Sequence, residues 1–306
     1  MDIRIAGLAL LISIILSGCN SNSESSDNGR ITIVTTTGMI EDAVKNIVGD
    51  KADVQALMGP GVDPHLYKAT QGDLQKLTGS DIIFYNGLHL EGKMGEVFEK
   101  LAFQKPVVAV ANSISPARLR KVPEFNNNYD PHIWFDVKLW QEAVKEVNRY
   151  MQQYDSANAS YYQQNASTYL KILDSLHSFV QKEISTIPET QRVLITAHDA
   201  FGYFGEAYDI KVMGLQGIST LSEYGLRDVA NLVDYIKTNK IKAVFVETSV
   251  SNKAINAVVE GCQQSGYDVF IGGNLYSDAM GAKGSADGTY VGMVRANVKT
   301  IVSALK

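Results

Sequence analysis

From Ser156 to Ile187 the chain contains neither proline nor glycine, and Ala166, Tyr169, Leu173, Leu176 and Val180 recur at alternating three- and four-residue steps. That spacing holds one apolar stripe on a single face of an α-helix. Asp155 or Ser156 offers a cap at its start, and Pro188 stops it. At about 1.5 Å per residue the helix would reach on the order of 45 Å, enough to run the length of a two-lobed molecule. A single strut of this size constrains the rest of the chain, because whatever lies on either side has to be built onto it.

On both sides short β-rich runs alternate with helical periodicity, the pattern of parallel α/β architecture. Before the strut, strands are expected at Ile31–Thr35, Val54–Met58, Asp81–Tyr85 and Val107–Val110, with helices near Ile40–Val48, Asp73–Leu77 and Glu91–Phe103. After it, strands are expected at Val193–Ala197, Lys211–Gly214, Ala243–Glu247 and Val269–Gly272. The accompanying helices fall near Ala200–Ala207, Leu226–Thr238, Asn252–Ser265 and Thr289–Leu305. The fold class is thus α/β in two lobes, each a mainly parallel four-stranded sheet flanked by helices. The expected divisions are an N-terminal lobe over 30–154, the inter-lobe helix over 155–188 and a C-terminal lobe over 189–306.

The first residues set the compartment. After Arg4 an apolar run from Ile5 to Leu16 is broken only by Gly7 and Ser13. It is shorter than the roughly 20 residues a membrane span takes, and suits a secretory signal over 1–19. Leu16-Ser17-Gly18-Cys19 resembles the bacterial lipobox, which makes Cys19 the expected lipid attachment site. Residues 20–29, almost all small or polar, read as a flexible tether. A membrane-anchored lipoprotein on the periplasmic or cell-surface side follows. The formal charge of −5 argues against nucleic acid as a partner. With Cys19 acylated, Cys262 stands alone and reads as a small core residue in a helix.

Asp-Pro-His occurs twice, at Asp63-Pro64-His65 and Asp130-Pro131-His132, in a chain with five histidines. Proline fixes its own φ and drives the preceding residue into an extended conformation, so each imidazole projects from a stiff corner. His198 follows the apolar run Val193–Ala197, and Asp278 closes Leu275-Tyr276-Ser277-Asp278. Three imidazoles and a carboxylate make a plausible cage for one divalent transition ion, Zn2+ or Mn2+. Glu247, at a strand end, is assigned to receive an imidazole N–H and fix its tautomer. Asp199 is expected to begin a helix. His89 and His177 read as structural. Such ligands also build hydrolytic zinc sites, but four protein ligands leave little room for a reactive water, and no His-Glu-x-x-His is present.

These motifs, together with Gly59-Pro60-Gly61-Val62, Asn86-Gly87-Leu88 and Ile133-Trp134-Phe135-Asp136, resemble the zinc/manganese receptor lipoproteins of bacterial ABC importers, a family that includes the adhesion lipoproteins. The resemblance covers essentially the whole chain after the tether. It implies a metal site in a cleft between the lobes with ligands His65, His132, His198 and Asp278, the branch with three histidines and one aspartate. It also implies a non-enzymatic receptor, expected to be a monomer, that delivers its ion to an ABC permease and its ATPase. A secreted metal-dependent hydrolase and a surface adhesin are the alternatives. Ser115 to Tyr129 lacks the histidine-rich loop typical of many zinc receptors in that family. An uninterrupted strut has no point at which to bend widely. Movement is therefore expected in the glycine-bearing segment around Asp278, from Gly272-Gly273 to Gly281–Gly288.

Overall fold

The computed structural model describes residues 29–306. The signal, the lipobox with Cys19 and nearly all of the tether lie outside the described residues. Among these residues no helix is long and apolar enough to cross a membrane.

The first half is a parallel sheet of β1 (Ile31–Thr35), β2 (Ala52–Ala56), β3 (Ile82–Tyr85) and β4 (Val107–Ala109) in the order β2-β1-β3-β4. Parallel neighbours need crossovers, supplied by α1 (Gly38–Val48), α2 (Gln71–Gly79) and α3 (Gly95–Ala102). Helices on both faces explain why β1 and β3 read as unbroken apolar or β-branched runs rather than alternating ones. Thr70 and Asp73 close a reciprocal capping box at the start of α2. A two-residue antiparallel ribbon follows, β5 (Lys121–Val122) with β6 (Asn128–Tyr129).

The middle of the molecule is a helical hairpin, α4 (Val137–Tyr154) and α5 (Ala159–Ile184). α4 is not among the helices expected from sequence. The signals are nevertheless there: Asp136 accepts from Lys138 N at 2.8 Å as an N-cap, and Val137, Trp140, Val144, Val147 and Met151 share a buried face. The strut is shorter than the uninterrupted run because a 3-10 turn over Ser156–Asn158 precedes it. Asp155 does not cap α5. Its carboxylate accepts from Tyr162 Oη and Asn158 Nδ2, closing the turn between the two helices. α5 buries Ala166, Tyr169, Leu173, Leu176 and Val180, the stripe expected from sequence, and adds Tyr162 and Ile184.

In the second half β7 (Val193–His198) pairs in parallel with β8 (Lys211–Gln216), and β9 (Ala243–Glu247) with β10 (Phe270–Leu275). β7 and β9 lie side by side, so the four strands form one layer made of two hydrogen-bonded pairs. α6 (Gly202–Tyr208), α7 (Leu226–Thr238), α8 (Lys253–Gln264) and α9 (Tyr290–Leu305) complete this half. Cys262 is a buried free thiol on α8, and burial pushes its pKa up. α9 also packs on α5, and its Tyr290 stacks on Trp140 of α4 at 5.3 Å. The glycines of β10 serve packing. A Cβ on Gly272 would lie 2.7 Å from Ala304, and one on Gly273 would lie 2.4 Å from Thr300. Bare backbone there lets α9 press against the strand that leads to Asp278.

Candidate metal centre

Each aspartate of the two Asp-Pro-His corners folds back on its own turn, accepting the histidine amide two residues on. Asp63 Oδ1 takes His65 N at 2.8 Å, and Asp130 Oδ1 takes His132 N at 2.9 Å. Asp130 Oδ1 also lies 2.7 Å from His132 Nδ1, so the ring as well as the backbone is held. Behind this corner Asn86 Nδ2 donates to Pro131 O at 3.0 Å, and Asn86 N donates to the buried Glu91 at 2.7 Å. His132 then enters a 3-10 turn whose Trp134 donates Nε1–H to Ser277 O at 3.0 Å, one residue from Asp278.

His198 ends β7 and Glu247 ends β9. The Glu247 carboxylate accepts His198 N at 2.9 Å through Oε1, while Oε2 lies 2.6 Å from His198 Nδ1. A carboxylate at this distance from Nδ1 favours the neutral tautomer that keeps its proton there and leaves the Nε2 lone pair free, as a metal-binding imidazole requires. Asp278 comes from the turn after β10. Its Oδ1 is 3.4 Å from His132 Nε2 and its Oδ2 is 3.3 Å from His198 Nε2. His65 Nε2 is 3.3 Å from His132 Nε2.

His65, His132, His198 and Asp278 therefore converge, each buried, each offering one donor atom within 4.8 Å of the others. Bonds of roughly 2.0–2.1 Å in a tetrahedron place ligand atoms about 3.3–3.4 Å apart, close to the His65–His132 spacing and to the approach of one Asp278 oxygen to His132 and the other to His198. Both Asp278 oxygens are buried, and the groups that face them are the two imidazole Nε2 atoms. A buried carboxylate is costly unless a cation faces it. The donor set fits one divalent transition ion.

The electrostatics point the same way. Burial drives the His65 pKa down to about 3. Burial also opposes protonation of His132, but the adjacent Asp130, with Asp278, lifts it to about 9. His198 is raised well above the ordinary imidazole range: burial works against it, and Glu247 and Asp278 outweigh burial. Asp278 is lowered well below the usual carboxylate range, since His198 and His132 overcome its own burial. The pocket holds protons where an incoming dication would hold them off.

His89 and His177 stand apart from this cluster. His89 is exposed on a loop, and His177 Nδ1 faces Tyr208 Oη at 3.2 Å. Asp199 does not start a helix, because α6 begins at Gly202 with Phe201 as its cap position. The functional contact that sequence reasoning missed is Asp130 on the ring of His132. Its signal was the aspartate two residues before a proline-fixed histidine, read there only as a stiff corner.

Comparison with known proteins agrees with the geometry. The family ZnuA, zinc-uptake complex component A, periplasmic, matches residues 33–304. The chain is 50% identical over 298 residues to the manganese-binding lipoprotein MntA of Bacillus subtilis, covering 97% of each chain. It is 46% identical over 284 residues to the zinc-binding protein TroA of Treponema pallidum, covering 93% of this chain and 92% of that one. The solved structure of the periplasmic zinc-binding TroA from Treponema pallidum superimposes with a TM-score of 0.88 at 47% identity, over 90% of this chain and 99% of that one.

Proposed function

Because the chain belongs to the ZnuA family of zinc-uptake complex components, we propose that it captures one Zn2+ or Mn2+ ion outside the cytoplasm and hands it to the permease of an ABC importer. His65, His132, His198 and Asp278 are the ligands of this reading, with Asp130 and Glu247 fixing the tautomers of His132 and His198. The observation that carries it is the buried Asp278 carboxylate set against two imidazole Nε2 atoms, with a third imidazole alongside. The ion is cargo, so the residues need only bind, desolvate and release it.

A hydrolytic site would keep an open position on the ion for a reactive water, whereas here four buried protein donors converge on one point, which favours an ion receptor over an enzyme. Competition binding of Zn2+ and Mn2+ to the purified mature protein tests the reading, and failure to bind either would remove it. Nitrogen-rich sites bind zinc more tightly than manganese whatever their physiological cargo. The cargo is therefore decided by metal uptake in cells lacking the gene. Cys19 anchors the protein, as a monomer, to the membrane. Cys19→Ser should release it from the membrane fraction, and unchanged fractionation and mature mass would contradict the anchor.

A further inference from the structure

Arg120 and Asp130 face each other at the base of the β5–β6 ribbon, where Asp130 N donates to Arg120 O at 2.9 Å. The Arg120 guanidinium reaches in two directions. Nη1 is 2.5 Å from Asp130 Oδ2, and Nε donates to Glu206 Oε1 at 2.8 Å. Glu206 lies on α6, so a single side chain joins the two halves. Tyr203, from the same helix, closes the junction: its hydroxyl accepts from Arg120 N and donates to Asp130 O, each at 3.0 Å. The guanidinium fits because residue 202 is glycine, where a Cβ would sit 1.5 Å from Nη1.

The other Asp130 oxygen holds the amide and ring of His132. A chain of charge-assisted contacts thus runs from Glu206 through Arg120 and Asp130 to a metal-facing imidazole. The outer arm adds little stability, since Glu206 is 66% exposed and exposed ion pairs contribute little. The arrangement is suited to direction. A planar guanidinium addresses two carboxylates at fixed angles, which a lysine ammonium cannot do.

Building on the metal-receptor reading, we propose that Arg120 is a positioning residue: it ties the orientation of His132 to the contact between the two halves, and so sets how long the ion is held. Parting of the halves at Glu206 frees Arg120, which frees Asp130 and loosens His132. Capture depends on the ligands; retention depends on this chain of contacts.

The test is stopped-flow release of Zn2+ and of Mn2+ from the purified mature protein into excess chelator. Arg120→Gln should speed release by roughly 10- to 100-fold, the range in which loss of a supporting contact weakens a metal site, with the association rate unchanged. Glu206→Gln should act in the same direction by less, and the double variant should release no faster than Arg120→Gln alone. Arg120→Lys, able to keep one arm, should fall between. Gly202→Ala displaces the guanidinium without removing its charge and should also speed release. It decides the matter, together with Glu206→Gln, if Arg120→Gln does not fold. A lowered melting temperature with unchanged release in Arg120→Gln would overturn the proposal. So would a Glu206→Gln effect that persists in full in the Arg120→Gln background. Wild-type protein that binds neither ion would remove the receptor reading instead.

Discussion

The two Asp-Pro-His corners are identical in sequence and opposite in electrostatics. At His132 the preceding aspartate grips both amide and ring; at His65 it takes the amide and turns its second oxygen to Thr220 Oγ1, 2.6 Å away across the cleft. His132 is consequently lifted to about 9 by Asp130 and Asp278 against the pull of burial, while burial takes His65 down to about 3. One tripeptide makes a clamped, proton-holding ligand, and its twin makes an open, neutral one that is fastened to the second half instead. A short motif fixes the backbone corner. The surroundings of its free carboxylate oxygen decide what the ligand does.

The hardest test of the comparison is to remove the rings. His65→Ala, His132→Ala, His198→Ala and Asp278→Ala should each weaken Zn2+ binding by about 100-fold or more, beyond what loss of a mere supporting residue costs. Calorimetry with a competing chelator measures this, and His89→Ala and His177→Ala serve as unaffected controls. Wild-type affinity in His65→Ala would mean that the neutral corner is not a ligand.

The proton inventory comes next in size. Below about pH 9 the ion-free His132 carries a proton, and His198, also raised, carries another. A bound ion requires both imidazoles neutral, so metal and protons compete. Affinity should therefore rise with pH between 6 and 8, by up to about tenfold per pH unit for each proton released. His65, already neutral above about pH 3, adds nothing to that slope. Titrations in buffers of different ionisation enthalpy count the protons, and a flat profile would break the assignment of charge to the clamped corner.

The same contrast predicts unequal effects at the two aspartates. Asp130→Asn should cost roughly 10- to 100-fold in affinity and reduce proton release, since it disturbs ring and amide together. Asp63→Asn leaves the His65 ring untouched and should cost clearly less. Equal losses would show that both aspartates act only through the backbone.

Much of this site was legible because its ligands sit where backbone chemistry leaves a mark. Proline marks His65 and His132, and strand ends mark His198 and Glu247. The stripe from Ala166 to Val180 gave the strut in the same way. Asp130 on the ring of His132 was not legible, because i to i+2 spacing permits a carboxylate to reach the amide, the ring or neither, and side-chain torsions choose among them. The glycines before Asp278 suggest mobility from sequence, and the structure adds a second reason for two of them: Gly272 and Gly273 let Ala304 and Thr300 approach. Local sequence reports that a Cβ is absent. Only the neighbour across the interface reports why.

The smallest expected effect isolates the fastening of the open corner. Thr220→Val removes the hydroxyl that donates to Asp63 Oδ2 and keeps the side-chain volume. A hydrogen bond to a charged group contributes about 1.5–3 kcal/mol at most, and part of this is recovered by water at a half-buried site. The loss in affinity should thus be a few-fold, carried by faster release, because the bond crosses the cleft and ligand His65 is already aimed. In the Asp63→Asn background the same change should have almost no further effect, since the charge that made the bond strong is gone. Additive effects would place Thr220 in some other contact, and the second half would then reach the open corner by a route that bypasses its aspartate.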